Sequence, residues 1–199
     1  PDLWSGLVTA DPDAHVGVMG IPFDNAASFR KGTAFGPSRL RGLTLHLSPC
    51  SEEGDPLRLR VKDYGDLEPD LDWARYFQTA EELAAGPLSH PLALFLGGDH
   101  SVTIPLMKAL SRSVEGPIGV VHFDAHPDLF DVYSGHTWSH ACTARRALEL
   151  PNLEPRHLPF VGLRSIAREE WDFLQENPAI PVYTARQCYL QGIEAIAEQ

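Results

Sequence analysis

Six short apolar runs, several of them unbroken, constrain this chain more than any other feature. They are "HVGVMGI" (15–21), "RLRVKDY" (58–64), "PLALFLG" (91–97), "PIGVVHF" (117–123), "HLPFVGL" (157–163) and "AIPVYTA" (179–185). An unbroken apolar run fits a strand buried on both faces, as in a parallel sheet covered by helices. Amphipathic stretches separate the runs, at about 37–47, 71–85, 103–113, 139–150, 168–176 and 191–198. Ser101 or Thr103 can cap the third of these, Pro105 is tolerated in its first turn, and Pro151 closes the fourth. The alternation predicts an α/β fold with a mostly parallel, doubly wound sheet. With 199 residues, 43% of them hydrophobic, the chain can bury one core, so a single domain over 1–199 is expected. No repeat or low-complexity tract interrupts it, and "SPCSEEGDPLR" (48–58) reads as a surface loop.

Ligands of open parallel sheets bind outside the carboxyl ends of the strands. Two predicted strands end there in polar clusters. "FLGGDHS" brings Asp99, His100 and Ser101; "HFDAHPD" brings Asp124, His126 and Asp128. Period 2 places residues 124, 126 and 128 on one side while the backbone stays extended, and an adjacent strand end would add His100. This oxygen and nitrogen donor set, without thiols, favours Mn²⁺, with Zn²⁺, Fe²⁺ or Co²⁺ as alternatives. Such carboxylates are costly to bury together without cations. His136 and His140 follow in "YSGHTWSHACTARRALEL", placed as loop histidines or as proton carriers at the rim of the site. His122, inside the apolar run, reads as a core histidine.

Net charge argues against nucleic acid: at −11 the chain lacks a basic footprint, and it is compatible with a cationic substrate or a metal ion. No apolar run reaches membrane-spanning length, and no basic-then-apolar leader opens the chain. Three scattered cysteines, Cys50, Cys142 and Cys188, form no paired framework, so a cytoplasmic setting is expected.

Six collinear motifs carry a resemblance. They are "GIPFDNAASFRKGTAFGPSRLR" (20–41), "DYGDL" (63–67), "FLGGDHS" (95–101), "HFDAHPDLFD" (122–131), "SHACTARRALE" (139–149) and "FVGLRS" (160–165). Together they resemble the ureohydrolase superfamily of arginases and agmatinases, with agmatinases nearest. The resemblance implies a three-layer α-β-α fold and a site for two Mn²⁺ ions. By it, His100 and Asp128 match ligands of one ion, His126 a ligand of the second, and Asp124 the carboxylate bridging both. His140 matches the catalytic histidine, and Asp99 steadies the ligands from outside. The implied reaction is hydrolysis of a small guanidino compound to urea and an amine, as in polyamine biosynthesis.

Agmatine, giving putrescine, is the expected substrate, because Phe130 stands where an arginase places Asn. Arginine and guanidinobutyrate are the alternatives, and a non-catalytic structural or regulatory relative is the other reading. Trimers or hexamers are implied as well. The family's later S-x-D-x-D-x-x-D-P motif has no counterpart here. The chain is therefore expected to stop before the last metal-ligand strand, to hold metal weakly and to have little activity by itself.

Overall fold

The computed structural model describes residues 3–199. They fall in two compact units, divided between Ser113 and Val114, each containing its own three-stranded parallel sheet.

In the first unit, β1 (Val16–Ile21) lies between β2 (Val61–Asp66) and β3 (Leu92–Gly97). All six residues of β1 are buried, as befits a central strand with no polar alternation. Pairing with β3 runs unbroken from Val16 opposite Leu92 to Ile21 opposite Gly97. The strand expected at 58–64 begins later, because its ladder starts with Val61 opposite Val16. Four helices accompany the sheet: α1 (Gly36–Thr44), α2 (Trp73–Leu83), α3 (Ala85–Leu88) and α4 (Thr103–Ser113). The carboxylate of Asp72 accepts the Ala74 and Arg75 amides and so caps α2. The inner face of α2 buries Tyr76, Phe77 and Ala80. Phe23 packs on Trp73, Tyr76 and Phe77 with ring centroids 5.1–5.2 Å apart, which pins the segment leaving β1.

In the second unit, β5 (Phe160–Leu163) lies between β4 (His122–Phe123) and β6 (Val182–Thr184). Its helices are α5 (Thr143–Ala147), α6 (Arg168–Glu176), α7 (Ala185–Gln191) and α8 (Ile193–Ala197). The core gathers Leu129, Ala144, Leu158, Phe160, Leu163, Leu174 and Ile180.

Three elements here differ from expectation. The run 117–123 forms a ladder of only two residues. Ile118 and Val120 instead donate to the carbonyls of Asn152 and His157, in a connection that turns as a 3₁₀ helix at Pro155–His157 and offers no strand. The helix expected at 139–150 is a 3₁₀ turn, His140–Cys142, followed by the five residues of α5. Its early amides on Ala144 and Arg145 are taken by the carbonyl of Asp128. Helix α7 lies outside the expected helices. The Thr184 hydroxyl accepts the Gln187 amide and the Gln187 side chain accepts the Thr184 amide, a capping box within the predicted strand. Gly192, at φ 86°, then separates α7 from α8. Among the described residues no helix is long and apolar enough to cross a membrane.

Candidate metal centre

In the first unit, β3 ends at Gly97 and the chain turns through Gly98 and Asp99 into a 3₁₀ turn at His100–Val102. Gly98 is required by contact: a Cβ there would lie 1.9 Å from the Phe23 carbonyl oxygen. The Asp99 amide donates to that same oxygen at 2.7 Å. Asp99 is buried, and both its carboxylate oxygens are used. Oδ1 accepts the Ser101 amide and hydroxyl, and Oδ2 accepts the Ala26 amide at 2.9 Å. It thus ties the segment after β1 to the turn that carries His100. His100 itself is half-buried at the start of this turn.

In the second unit, β4 carries His122, and the loop directly beyond it carries Asp124, His126 and Asp128. One donor atom each of His122, Asp124 and Asp128 lies within 4.8 Å of the others. His122 is buried, with its ring edge-on to Phe160 at 5.0 Å and Nε2 3.2 Å from the His126 carbonyl oxygen. It is therefore a core histidine, as expected, and also a member of the cluster. The alternation that selects 124, 126 and 128 includes 122 as well, and that is the signal that marks it. His126 stands at the rim: its side chain is 58% exposed, and Nδ1 is 3.4 Å from Asp124 Oδ1. Its amide donates to Asp124 Oδ1 at 3.0 Å, which fixes the carboxylate relative to the loop.

The loop is bound from several directions. Asp124 donates its amide to the Val161 carbonyl, and the Ala125 carbonyl accepts the amides of Arg164 and Ser165. That is the structural use of "FVGLRS". Asp128 adopts φ 52°, a left-handed conformation that Asp tolerates better than most residues. Beyond it, Glu170 of α6 is buried and accepts the Leu129 amide. Burial pushes its carboxyl up; the Ala167 and Leu129 amides oppose this, and the charge of Asp128 adds to the rise. Nothing in the local sequence marks Glu170, because its partner is 41 residues away.

His140 opens the 3₁₀ turn before α5, half-buried, with Nδ1 3.2 Å from the Ser139 hydroxyl. Its ring meets Tyr133 edge-on at 5.4 Å, and Tyr133 meets Phe130 at 5.2 Å. His136 is exposed, in a turn closed by reciprocal backbone bonds with Tyr133.

Two carboxylates and an imidazole at this spacing suit a divalent cation that prefers oxygen and nitrogen donors. Cys142 is buried, and its Sγ lies 3.6 Å from the His136 carbonyl oxygen.

Comparison with known proteins is consistent with this chemistry. Residues 14–199 match the family model described as "Arginase family". The N(1)-aminopropylagmatine ureohydrolase of Thermococcus kodakarensis is 35% identical over 193 residues, covering 91% of this chain and 63% of that protein. Arginase 1, mitochondrial, of Arabidopsis thaliana is 34% identical over 171 residues, covering 78% of this chain and 48% of that protein. Among solved structures, the agmatine ureohydrolase of Thermoplasma volcanium has a TM-score of 0.78 at 28% identity, covering 94% of this chain and 62% of that one. The fold is thus the arginase-like α/β fold expected from the sequence. The chain spans between 48% and 63% of the length of these relatives.

Proposed function

The chain belongs to the arginase family, and from that membership we propose that it serves the hydrolysis of a guanidino compound to urea and an amine, with agmatine preferred. The observation that carries this reading is the His122, Asp124 and Asp128 cluster at the end of β4. The family match runs continuously through both units, which supports reading residues 1–199 as parts of one ureohydrolase domain.

The metal ligands in this reading are His100, Asp124, His126 and Asp128; His122 is buried, with a donor atom within 4.8 Å of both carboxylates. Two divalent cations, Mn²⁺ by the donor chemistry, would when bound supply a hydroxide nucleophile at neutral pH and offset the carboxylate charge. Asp99 holds the turn that presents His100. His140 carries a proton to the departing amine as the guanidino C–N bond breaks, water providing the oxygen of urea.

Substrate preference rests on Phe130. Its half-buried ring packs on Tyr133, and its side chain offers no hydrogen-bonding group to an α-carboxylate. Agmatine has none, whereas arginine would leave a charge without a partner there. A cytoplasmic homo-oligomer completes the reading. The test is urea release by the complete gene product with Mn²⁺, with agmatine and arginine compared by kcat/KM. Faster hydrolysis of agmatine is expected, and Phe130→Asn should narrow the gap. Preference for arginine would remove the agmatine assignment and leave the family.

A further inference from the structure

We propose that Glu170 is a positioning residue for the metal-ligand loop: it sets the orientation of the Asp128 carboxylate by locking the peptide that follows it. The proposal rests on the metal reading above and goes beyond it, since Glu170 offers no donor to the cluster.

The peptide joining Asp128 to Leu129 is held at both polar ends. Its carbonyl accepts the amides of Ala144 and Arg145 at 3.1 and 3.2 Å. Its N–H donates to Glu170 Oε1 at 3.1 Å. The other oxygen, Oε2, accepts the Ala167 amide at 3.0 Å, so the carboxylate is itself anchored to the start of α6. Glu170 is 4% exposed and Leu129 3% exposed, so water does not compete for either bond.

This matters because Asp128 sits at φ 52°. A non-glycine residue keeps that conformation only where its surroundings enforce it. Freeing the 128–129 peptide would let Asp128 leave its left-handed conformation, and its side chain would then shift with the backbone relative to Asp124 and His122. The bonds from Ala144, Arg145 and Leu129 resist the rotation, and the one to Glu170 is made by a side chain. A glutamate is needed because two amides converge on two oxygens. Glutamine has a single acceptor oxygen and would leave one buried N–H facing an NH₂ group.

The experiment compares wild type, Glu170→Gln and Glu170→Ala with Asp172→Ala, which breaks only the exposed Arg168–Asp172 pair of the same helix. Amide exchange at Leu129 is measured by NMR in metal-free protein, and Mn²⁺ affinity by EPR titration. Both Glu170 variants should exchange Leu129 at least about 10-fold faster and bind Mn²⁺ about 10–100-fold more weakly, the range typical of residues that orient metal ligands. Asp172→Ala should change neither. Unchanged Leu129 exchange overturns the proposal, and so does weaker Mn²⁺ binding without faster exchange, which would assign the effect to charge. Faster exchange with full Mn²⁺ affinity also overturns it, since the lock would then serve the fold alone. Wild type that binds no Mn²⁺ would instead defeat the metal reading.

Discussion

Arg41 and Asp63 form a bidentate pair: Nε donates to Oδ2 at 2.7 Å and Nη2 to Oδ1 at 2.9 Å, with both side chains about nine-tenths buried. Arg41 also pairs with Asp66 and donates to the Gly65 carbonyl. One side chain of α1 thereby fastens the last residue of the 20–41 motif to the "DYGDL" turn of β2. Removing the guanidinium strands carboxylates in a buried site, so Arg41→Met should cost about 3–5 kcal/mol. Arg41→Lys cannot reproduce the fork and should cost a large part of that. Urea denaturation with unchanged m-values would check both; a loss below about 1 kcal/mol in Arg41→Met would refute the assignment.

Acid should act through the same pair. Burial alone would raise the Asp63 pKa, but hydrogen bonds from Arg41, Trp4 Nε1 and the Gly65 amide, with the Arg41 charge, hold it below its ordinary value. The folded state therefore binds fewer protons here than the unfolded state. The stability this confers is fully present above the unfolded pKa, about 4, and is lost as pH falls through the lower folded value. Urea midpoints measured from pH 7 to pH 3 should drop in wild type. The drop should be shallower in Asp63→Asn, which has no such carboxylate to protonate, and parallel curves would contradict this.

The contact between Gly98 and Phe23 makes a separate prediction for the turn that carries His100. A Cβ at residue 98 would meet Phe23 backbone at 1.9, 2.7 and 2.8 Å, and backbone cannot rotate away as a side chain can. Gly98→Ala should destabilise by about 2–4 kcal/mol. Gly116 provides the control: a Cβ there would meet nothing within 4 Å, and Gly116→Ala should be neutral to about 0.5 kcal/mol. Equal thermal midpoints for the two variants would show that the turn yields more easily than its geometry indicates.

Elements governed by local chemistry are legible in the sequence. β1 and β3 follow their apolar runs, and α6 spans 168–176 as its amphipathic pattern indicates. β4 is shorter than its run because its partner across the gap is a turn, and a strand's pairing depends on the neighbour as much as on its own residues. The two polar clusters are legible because each is a few consecutive residues at a strand end. His122 is masked by its apolar setting, since one ring edge packs on Phe160 while the ring also reaches the carboxylates. Glu170 leaves no local trace, since its role depends on a helix returning to a loop formed 41 positions earlier.

Metal removal gives the last prediction. Donor oxygens of Asp124 and Asp128 approach within 4.8 Å, so without a cation their charges repel. Asp124→Asn removes that repulsion while its remaining side-chain oxygen can still accept the His126 amide, as Asp124 Oδ1 does at 3.0 Å. In chelator-treated protein at neutral pH the variant should therefore be as stable as wild type, or more stable by up to about 1 kcal/mol, with the advantage shrinking in high salt. With Mn²⁺ the order should reverse. Wild type gains about 2.7 kcal/mol when free metal is 100-fold above its dissociation constant, and the variant, having lost an anionic ligand, gains much less. Thermal midpoints with chelator and with Mn²⁺ read both halves. An undiminished Mn²⁺ shift in Asp124→Asn would remove Asp124 from the ligand set, and a destabilised metal-free variant would mean that its carboxylate holds the fold rather than a cation.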